Sequence, residues 1–507
     1  MQWPLHERVY TAAQVKKLDQ LTIQSGTPGF ELMKQAGRMA FRHLLREWPE
    51  CRSLTLFCGG GNNGGDGYVM AGLARQQNMA VQLISLTPAE RLTGEAAQAY
   101  QWALERDVAV QPWREGLKLK GEVIVDALLG TGLTGDVHGD YLKAIEQINW
   151  SGLPVLAVDI PSGLCADRGV CLGQAVKADT TVTFIGKKLG LLTGQGPEYC
   201  GGRRFEPLTV PESVRAQIEP EATMINGETI NRLVAPRART AHKGDCGRVL
   251  VVGGDQGYGG AIMLAAQMTA RAGAGLIKVM TRPEHILPLL TRQPELMAEG
   301  LTSIHQLDQW LKWCDVVVLG PGLGQNGWGQ QVWQKVMQAE CAKVIDADAL
   351  NLMASHGEWL EKLPDNCRDW VLTPHPGEAA RLLKCSVREV EQDRPAAVRL
   401  LSDQYGGTVL LKGAGTLVLG EGRLAVNNSG NPGMASGGMG DVLSGLMGAL
   451  RAQGLTGYDA ACLAVQVHGK AADQLACRYG ERGLLASDLI DQVRVILNPE
   501  CELNASL

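Results

Sequence analysis

Two glycine-rich stretches hold the residues whose types and spacing suit phosphate chemistry. GGGNNGGDG (59–67) follows the apolar run SLTLFC, and Gly59, Gly61 and Gly64 satisfy G-x-G-x-x-G ahead of a helix expected from Asp66 to Gln77. Glycines there let backbone N–H groups approach a pyrophosphate, while the helix N-terminus adds partial positive charge. A dehydrogenase would carry an acidic residue at the end of the next strand to hold a ribose hydroxyl, but here that strand ends Ile84, Ser85, Leu86, Thr87. An ordinary NAD dehydrogenase is therefore disfavoured. A tight strand-to-helix turn without ligand is the structural alternative, weakened by six glycines and two Asn in nine residues.

Two more loops converge on the same region. Asp126 ends a strand and leads into LLGTGLTGDVHG; Asp159 ends another and leads into IPSGL. Asp159 suits a general acid or base. Asn63, Asp126 and the turn at Ser162 are hard oxygen donors of the kind that hold an alkali or alkaline-earth cation. Each Asp has a plainer alternative as a turn or helix cap.

The second half offers HKGDCG, GGDQGYGGA, GPGLG, DADALN, TPHPGE, KGAGT and GNPGMASGGMGDVLSG. In the last, Gly437, Gly438 and Gly440 precede a helix expected to open at Asp441, which converges N–H groups on one anion beside a carboxylate. Phosphoryl transfer needs that pairing of donors with a base, although Asp441 as a simple N-cap is the alternative. No G-x-x-x-x-G-K-[ST] occurs, so this is not a P-loop enzyme.

These loops need strands and helices to hold them. A chain of 507 residues predicts two to four domains. Strands are expected at 53–58, 81–86, 123–127, 155–159 and 181–185, with helices between them, and a second series runs through 248–252, 275–280, 316–319, 344–346, 371–373 and 408–412. Such alternation predicts α/β architecture with mostly parallel sheets, whose ligands bind at the carboxyl ends of strands. Between the series, residues 219–242 are polar and rich in Pro and Arg, and read as a linker dividing a domain 1–218 from a domain 243–501; Arg232, Arg237, Arg239 and Lys243 read as its solvated charges.

Composition limits the partners. A net charge of -5 gives no footprint for nucleic acid. The start MQWPLHERVY lacks a signal-peptide pattern and no apolar run reaches the ~18 residues of a membrane span. The expected protein is cytoplasmic, with no membrane partner. Thirteen cysteines without a C-x-x-C pair argue against a disulfide framework or structural zinc.

GGGNNGGDG with VDALLGTG and VDIPSG resembles the NAD(P)H-hydrate epimerase domain, and HKGDCGRVLVVGG, GPGLG, DADALN, TPHPGE, KGAGT and NPGMASGGMGDVLSG resemble the ribokinase-like NAD(P)H-hydrate dehydratase. In this order the whole resembles the bifunctional nicotinamide nucleotide repair family, which implies a Rossmann-like three-layer domain followed by a ribokinase-like α/β domain. The resemblance implies epimerisation of R and S forms of hydrated NADH and NADPH by the first domain. The second would dehydrate the S form at the expense of ADP, giving AMP and phosphate. It assigns Asn62, Asn63, Gly64, Gly65 and Asp66, together with Gly130, Thr131, Gly132, Leu133, Thr134, Gly135, Asp136 and Tyr141, to the epimerase substrate, and Asp159 to its ring. K⁺ falls to Asn63, Asp126 and Ser162. In the dehydratase it assigns Ala261, Gly322, His375 and Asp441 to the hydrate, and Lys412, Gly413, Ala414, Gly415, Thr416 and Gly440 to the nucleotide. Asp441 is the expected base. Glu378 is a candidate for placing Mg²⁺, although related vitamin kinases carry Asn where His375 stands. A homo-oligomer is expected, of an order the sequence leaves open.

Two other readings stay open at this level: a small-molecule kinase of the thiazole or pyridoxal class joined to a nucleotide-binding domain, and a first domain that serves only as an interaction or RNA-associated module. A kinase accumulates a phosphorylated alcohol, whereas repair restores reduced nicotinamide. Retention of Asp159 and the intact glycine loop weighs against the interaction module.

Overall fold

The computed structural model describes residues 4–361 and 363–498; the far end of the expected second domain, 499–501, lies outside them. The chain divides into two compact units, Met1–Thr223 and Met224–Leu507.

The first unit is built on a seven-stranded, wholly parallel sheet in the order Val110–Pro112, Ala80–Ser85, Ser53–Cys58, Val123–Ala127, Val155–Val158, Thr180–Phe184, Gly202–Glu206. Its central strands are apolar on both faces because helices cover both. Gly29–Glu47, Asn62–Gln76 and Gly94–Leu104 cover the face bearing Leu54 and Leu56. Gly139–Trp150 covers the face bearing Phe57 and Ile124. This is the expected three-layer, Rossmann-like arrangement. Strand order reverses between Ser53–Cys58 and Val123–Ala127, so a crevice opens at their carboxyl ends. The first helix, Ala12–Gln24, starts where sequence places it, with Thr11 and Gln14 forming a reciprocal capping box. A short strand, Arg8–Tyr10, pairs with Lys187–Lys188 in parallel and with Ala222 and Thr223 in antiparallel fashion.

In the second unit seven parallel strands run in the order Met297–Gly300, Leu276–Thr281, Arg248–Val252, Val316–Leu319, Ala342–Ile345, Trp370–Leu372, Thr408–Leu411, extended by an antiparallel pair, Leu417–Gly420 and Arg423–Asn427. Helices Gly259–Arg271, Met439–Ala452 and Gly457–Tyr479 pack on one sheet face in a single core. Sequence reading missed the closing hairpin, whose turn is Glu421–Gly422 with φ 53° and 72°. Positive φ at both turn residues marks a type I′ geometry usually announced by Asn-Gly rather than Glu-Gly.

The segment 219–242 is not structureless. It contains the strand Ala222–Ile225 and the helix Gly227–Leu233, capped by Asn226, and Ile225 and Ile230 are buried in the second core. Within that segment, a continuous exposed run free of helix or strand is confined to 235–242. Four apolar residues, Ile225, Ile230, Leu233 and Val234, carry this short amphipathic piece, and flanking Pro and Arg hid them from a compositional reading. No helix among the described residues is long and apolar enough to cross a membrane.

Candidate active sites

In the first unit the glycine-loop helix begins at Asn62, four residues before the expected start, with Gly61 as its N-cap. The loop residues are therefore its first turn, whose leading N–H groups have no partner within the helix. Gly61 and Asn62 are exposed at the crevice, whereas Asn63, Gly64, Gly65 and Asp66 turn inward. Packing explains two of the glycines: a Cβ at Gly59 would lie 1.9 Å from the Leu128 carbonyl oxygen, and one at Gly64 would lie 2.1 Å from that of Gly59. The loop is glycine-rich because helix, strand and neighbouring loop touch there, as well as for any ligand.

The three proposed cation ligands meet through the loops. Asp126 is fully buried and accepts from Ser162 N (2.8 Å), Ser162 Oγ (2.5 Å) and Leu128 N (3.2 Å). Burial pushes its carboxyl up to about 6 against those bonds. Ser162 Oγ also accepts from Leu129 N at 2.8 Å. Next in the chain is Gly130, whose Cβ position lies 3.2 Å from Asn63 Cβ. Both amide atoms of buried Asn63 lack a hydrogen-bond partner among the described residues, an anomaly that asks for a ligand. Thr131 to Asp136 form a loop in which Gly132, Thr134, Gly135 and Asp136 are exposed, and the Tyr141 hydroxyl lies 3.2 Å from Thr87 Oγ1.

Asp159 sits one residue past its strand with φ 64°. A non-glycine residue in that region costs on the order of 1–3 kcal/mol and persists only where its surroundings over-determine it. The cause is visible: Asp159 Oδ1 accepts from Phe184 N (3.1 Å), Thr183 Oγ1 (3.3 Å) and the ammonium of fully buried Lys188. Asp66 lies in the same field. Its carboxyl is held well above the usual range, first by burial and then by Asp159 and Asp19. Sequence reading named neither Lys188 nor Asp19; the only trace of Lys188 was a lysine pair directly after an apolar strand.

In the second unit the helix at the last glycine loop begins at Met439 after Gly438, so Asp441 stands in its first turn rather than at its cap. Asp441 accepts no hydrogen bond among the described residues. Its carboxyl is pushed up to about 7 by burial and by Asp346, opposed by Lys412. Asp346, at the end of Ala342–Ile345, is 1% exposed and takes Lys412 Nζ at 2.8 Å and the Ser444 hydroxyl. Burial would raise its carboxyl, but Lys412 outweighs that and holds it below the usual range. A Cβ at Gly440 would lie 3.4 Å from Lys412 Nζ and 3.5 Å from Asp346 Oδ2, which brings three chain-distant residues to one point.

The loop Lys412–Thr416 is braced by Thr416 Oγ1 on the Gly413 carbonyl (3.0 Å) and by buried Arg394, which donates to the carbonyls of Leu411 (3.2 Å) and Lys412 (3.0 Å). His375 caps the helix Pro376–Leu383: its Nδ1 accepts from Gly377 N at 2.9 Å, and Glu378 Oε2 accepts from His375 N at 2.8 Å. With Nδ1 an acceptor, the ring proton resides on Nε2, 3.4 Å from Glu378 Oε1. Burial, then Lys412, holds the imidazole below its usual value, hence neutral at pH 7. Glu378 is itself raised to about 7 by burial and lies 3.8 Å from Lys412. Ala261 and Gly322 adjoin one another beside Tyr258, since a Cβ at Gly322 would lie 2.8 Å from Tyr258 Cβ and 3.3 Å from Ala261 Cβ. Asp346, Ser444 and Arg394 had no assigned role in the sequence reading, although DADALN pointed at the first.

Comparison with known proteins covers both units. A family model described as NAD(P)H-hydrate dehydratase matches residues 249–494, and one described as YjeF-related protein N-terminus matches residues 29–190. The chain is 45% identical to the bifunctional NAD(P)H-hydrate repair enzyme Nnr of Coxiella burnetii over 97% of this chain and 99% of that protein. It is also 45% identical to the enzyme of the same name from Escherichia coli over 93% and 90%. A solved ribokinase-like superfamily protein from Enterococcus faecalis superposes with a TM-score of 0.50 at 29% identity, covering 54% of this chain and 95% of that one. With relatives this similar along nearly its full length, and two units each bearing a built crevice, the chain belongs to the family of bifunctional NAD(P)H-hydrate repair enzymes.

Proposed function

We propose that this chain repairs NADH and NADPH hydrated at C6 of the nicotinamide ring, the first unit interconverting R and S epimers and the second dehydrating the S form with ADP. The observation that carries the second activity is the meeting of Gly440, Lys412 and Asp346 beside Asp441, whose carboxyl stands near 7. Hydroxide is a poor leaving group. Asp441 takes the proton from the C6 hydroxyl as its oxygen attacks the β-phosphorus of ADP; the new O–P bond forms, the bridging P–O bond breaks and AMP departs. The ring nitrogen's lone pair then expels phosphate, and loss of a C5 proton restores the double bond. A base near the operating pH suits this step, and the N–H groups at the start of Met439–Ala452 offer donors for phosphoryl charge. The neutral His375, with Ala261 and Gly322, lines the hydrate side; Lys412–Thr416 and Gly440 hold the nucleotide.

In the first unit Asp159 exchanges a proton at the hydroxyl-bearing ring, with the pyrophosphate on Asn62–Asp66 and Gly130–Asp136. Asn63, Asp126 and Ser162 fit K⁺ because Asn63 is a buried amide with no hydrogen-bond partner among the described residues, and the buried carboxyl of Asp126 is bonded to Ser162; the ion would supply a fixed charge near the substrate phosphates. Around Asp441 the carboxyls of Asp346, Asp348 and Glu378 face the ammonium of Lys412, an oxygen-rich field that fits Mg²⁺, with Glu378 as the facing carboxylate and charge neutralisation on the moving phosphoryl group as its contribution. A homo-oligomer in the cytoplasm completes the reading; light scattering on the purified protein reads the first, and subcellular fractionation reads the second.

The test is incubation with mixed hydrate epimers and ADP or ATP while dihydronicotinamide absorbance is followed. Full recovery with AMP release is expected. Accumulation of a phosphorylated alcohol without recovered absorbance would make the second unit a small-molecule kinase instead.

A further inference from the structure

Lys188 is buried to 0% exposure in the first unit, and no assignment above gives it a role. A buried ammonium is costly unless all its protons are used. Lys188 Nζ has three donors and three acceptors: Asp159 Oδ1, Thr183 Oγ1 at 2.9 Å and the Phe184 carbonyl at 3.0 Å. The arrangement is closed, because Thr183 Oγ1 passes its own proton to the same Asp159 oxygen, and Phe184 N donates there as well. Three donors thus converge on Oδ1. None among the described residues reaches Oδ2, and the Asp159 side chain remains 17% exposed.

The backbone around this knot is strained at two places. Asp159 has φ 64° and Ile185 has φ 67°, and for a β-branched residue that value is a genuine outlier. Ile185 N donates to the Glu206 carbonyl and buried Arg215 donates to the Ile185 carbonyl at 2.6 Å, so the turn is held from both sides. That turn brings the chain from the end of Thr180–Phe184 back to Lys188, whose main chain is then fixed by parallel pairing with Tyr10. A fold that needed only a strand-end cap at Asp159 would have no use for a second strained residue and a fully buried cation.

We infer that Lys188 is a positioning residue of the first site: it grips Asp159 through Oδ1, in a strained backbone setting, and thereby leaves Oδ2 as the oxygen that meets the substrate. Lys188 has no access to substrate and is not a catalytic residue. The inference rests on the proposed role of Asp159, and the experiment separates the two.

The full-length protein and its variants Lys188→Met, Thr183→Val and Asp159→Ala are assayed for epimerisation of the R hydrate and, in the same samples, for dehydration of the S hydrate, which reports an intact second unit. Lys188→Met is expected to lower kcat for epimerisation by about 100-fold, the scale of a reacting group displaced by about 1 Å, with KM within about threefold and S-hydrate dehydration unchanged. Thr183→Val removes one donor to Asp159 and one acceptor of Lys188, and is expected to lower the same kcat about tenfold. If Asp159→Ala epimerises at the wild-type rate, the role of Asp159 falls and the inference with it. If Asp159→Ala is slow while Lys188→Met keeps the wild-type kcat, the inference alone is overturned. A rise in KM with kcat unchanged would also overturn it, by making Lys188 a binding group. Should Lys188→Met lose its first-unit unfolding transition, Thr183→Val decides: wild-type kcat there rejects the inference, and the expected fall supports it.

Discussion

Each unit of this protein has one carboxyl proposed above as its reactive group, and the two are treated in opposite ways. Asp159 is gripped through one oxygen by a buried lysine, a hydroxyl and a backbone N–H. The Asp441 carboxyl accepts no hydrogen bond among the described residues and is buried and crowded by Asp346, Asp348 and Glu378, so that it rises to about 7. The lysine of the second unit, Lys412, is drawn to Asp346 at 2.8 Å instead. The contrast teaches that the same residue type becomes a carboxyl fixed through one oxygen, or a base with its proton near balance, according to where the neighbouring ammonium is committed.

The strongest way to break the comparison is Asp441→Asn. This substitution keeps shape and removes the base, so dehydration should fall by roughly 10² to 10⁴ while nucleotide binding, read by calorimetry, and epimerisation persist. Wild-type turnover would remove Asp441 from the mechanism. Asp159→Ala makes the converse cut. S-hydrate should be repaired at full rate and R-hydrate only as fast as it epimerises spontaneously, so a progress curve on mixed epimers becomes biphasic, with a fast phase equal to the S fraction. One phase at the wild-type rate would leave Asp159 a strand-end cap.

The pH response sharpens the difference. A base must be deprotonated, so kcat/KM for dehydration should drop about tenfold per unit below pH 7 and level off above it. Stability runs the other way. A carboxyl raised above its unfolded value gives a contribution that is complete below about pH 4 and is lost as pH rises through about 7. Asp441→Asn should therefore unfold at a higher temperature than wild type at pH 8, with the gap closing towards pH 4.

The smallest effects separate glycines kept for packing from glycines kept for ligand. Gly59→Ala should destabilise the first unit by at least the ~1–3 kcal/mol of an overpacked core, because its Cβ meets a carbonyl oxygen at 1.9 Å. Gly440→Ala, with neighbours at 3.4 and 3.5 Å, should leave the melting temperature nearly unchanged and raise KM for ADP several-fold. Equal melting losses in both variants would erase the distinction.

Much of this was readable in the chain. Apolar runs such as SLTLFC and RVLVV became the strands Ser53–Cys58 and Arg248–Val252, because a strand buried on both faces must be continuously apolar and then end in a loop-forming residue. The motif residues Asp126, Asp159, His375 and Asp441 could be named for the same reason: a parallel sheet delivers its carboxyl-end loops to one edge. Less was readable where composition misleads. Ile225 and Ile230 lay hidden in a stretch dominated by Pro and Arg, and the Glu421–Gly422 turn lacks the usual Asn-Gly sign.

What the sequence determined by itself was the α/β architecture and the sheet edges at which the candidate side chains stand, since both follow from local pattern and from the rule that connects strand to loop. Tertiary structure alone decided their states. That Lys188 serves Asp159, that Lys412 serves Asp346 and so leaves Asp441 exposed to like charge, and that Asn63 is buried without a hydrogen-bond partner among the described residues all depend on distances between residues remote in the chain. Electrostatic energies depend on those distances and on burial, and neither is written in the local order of residues.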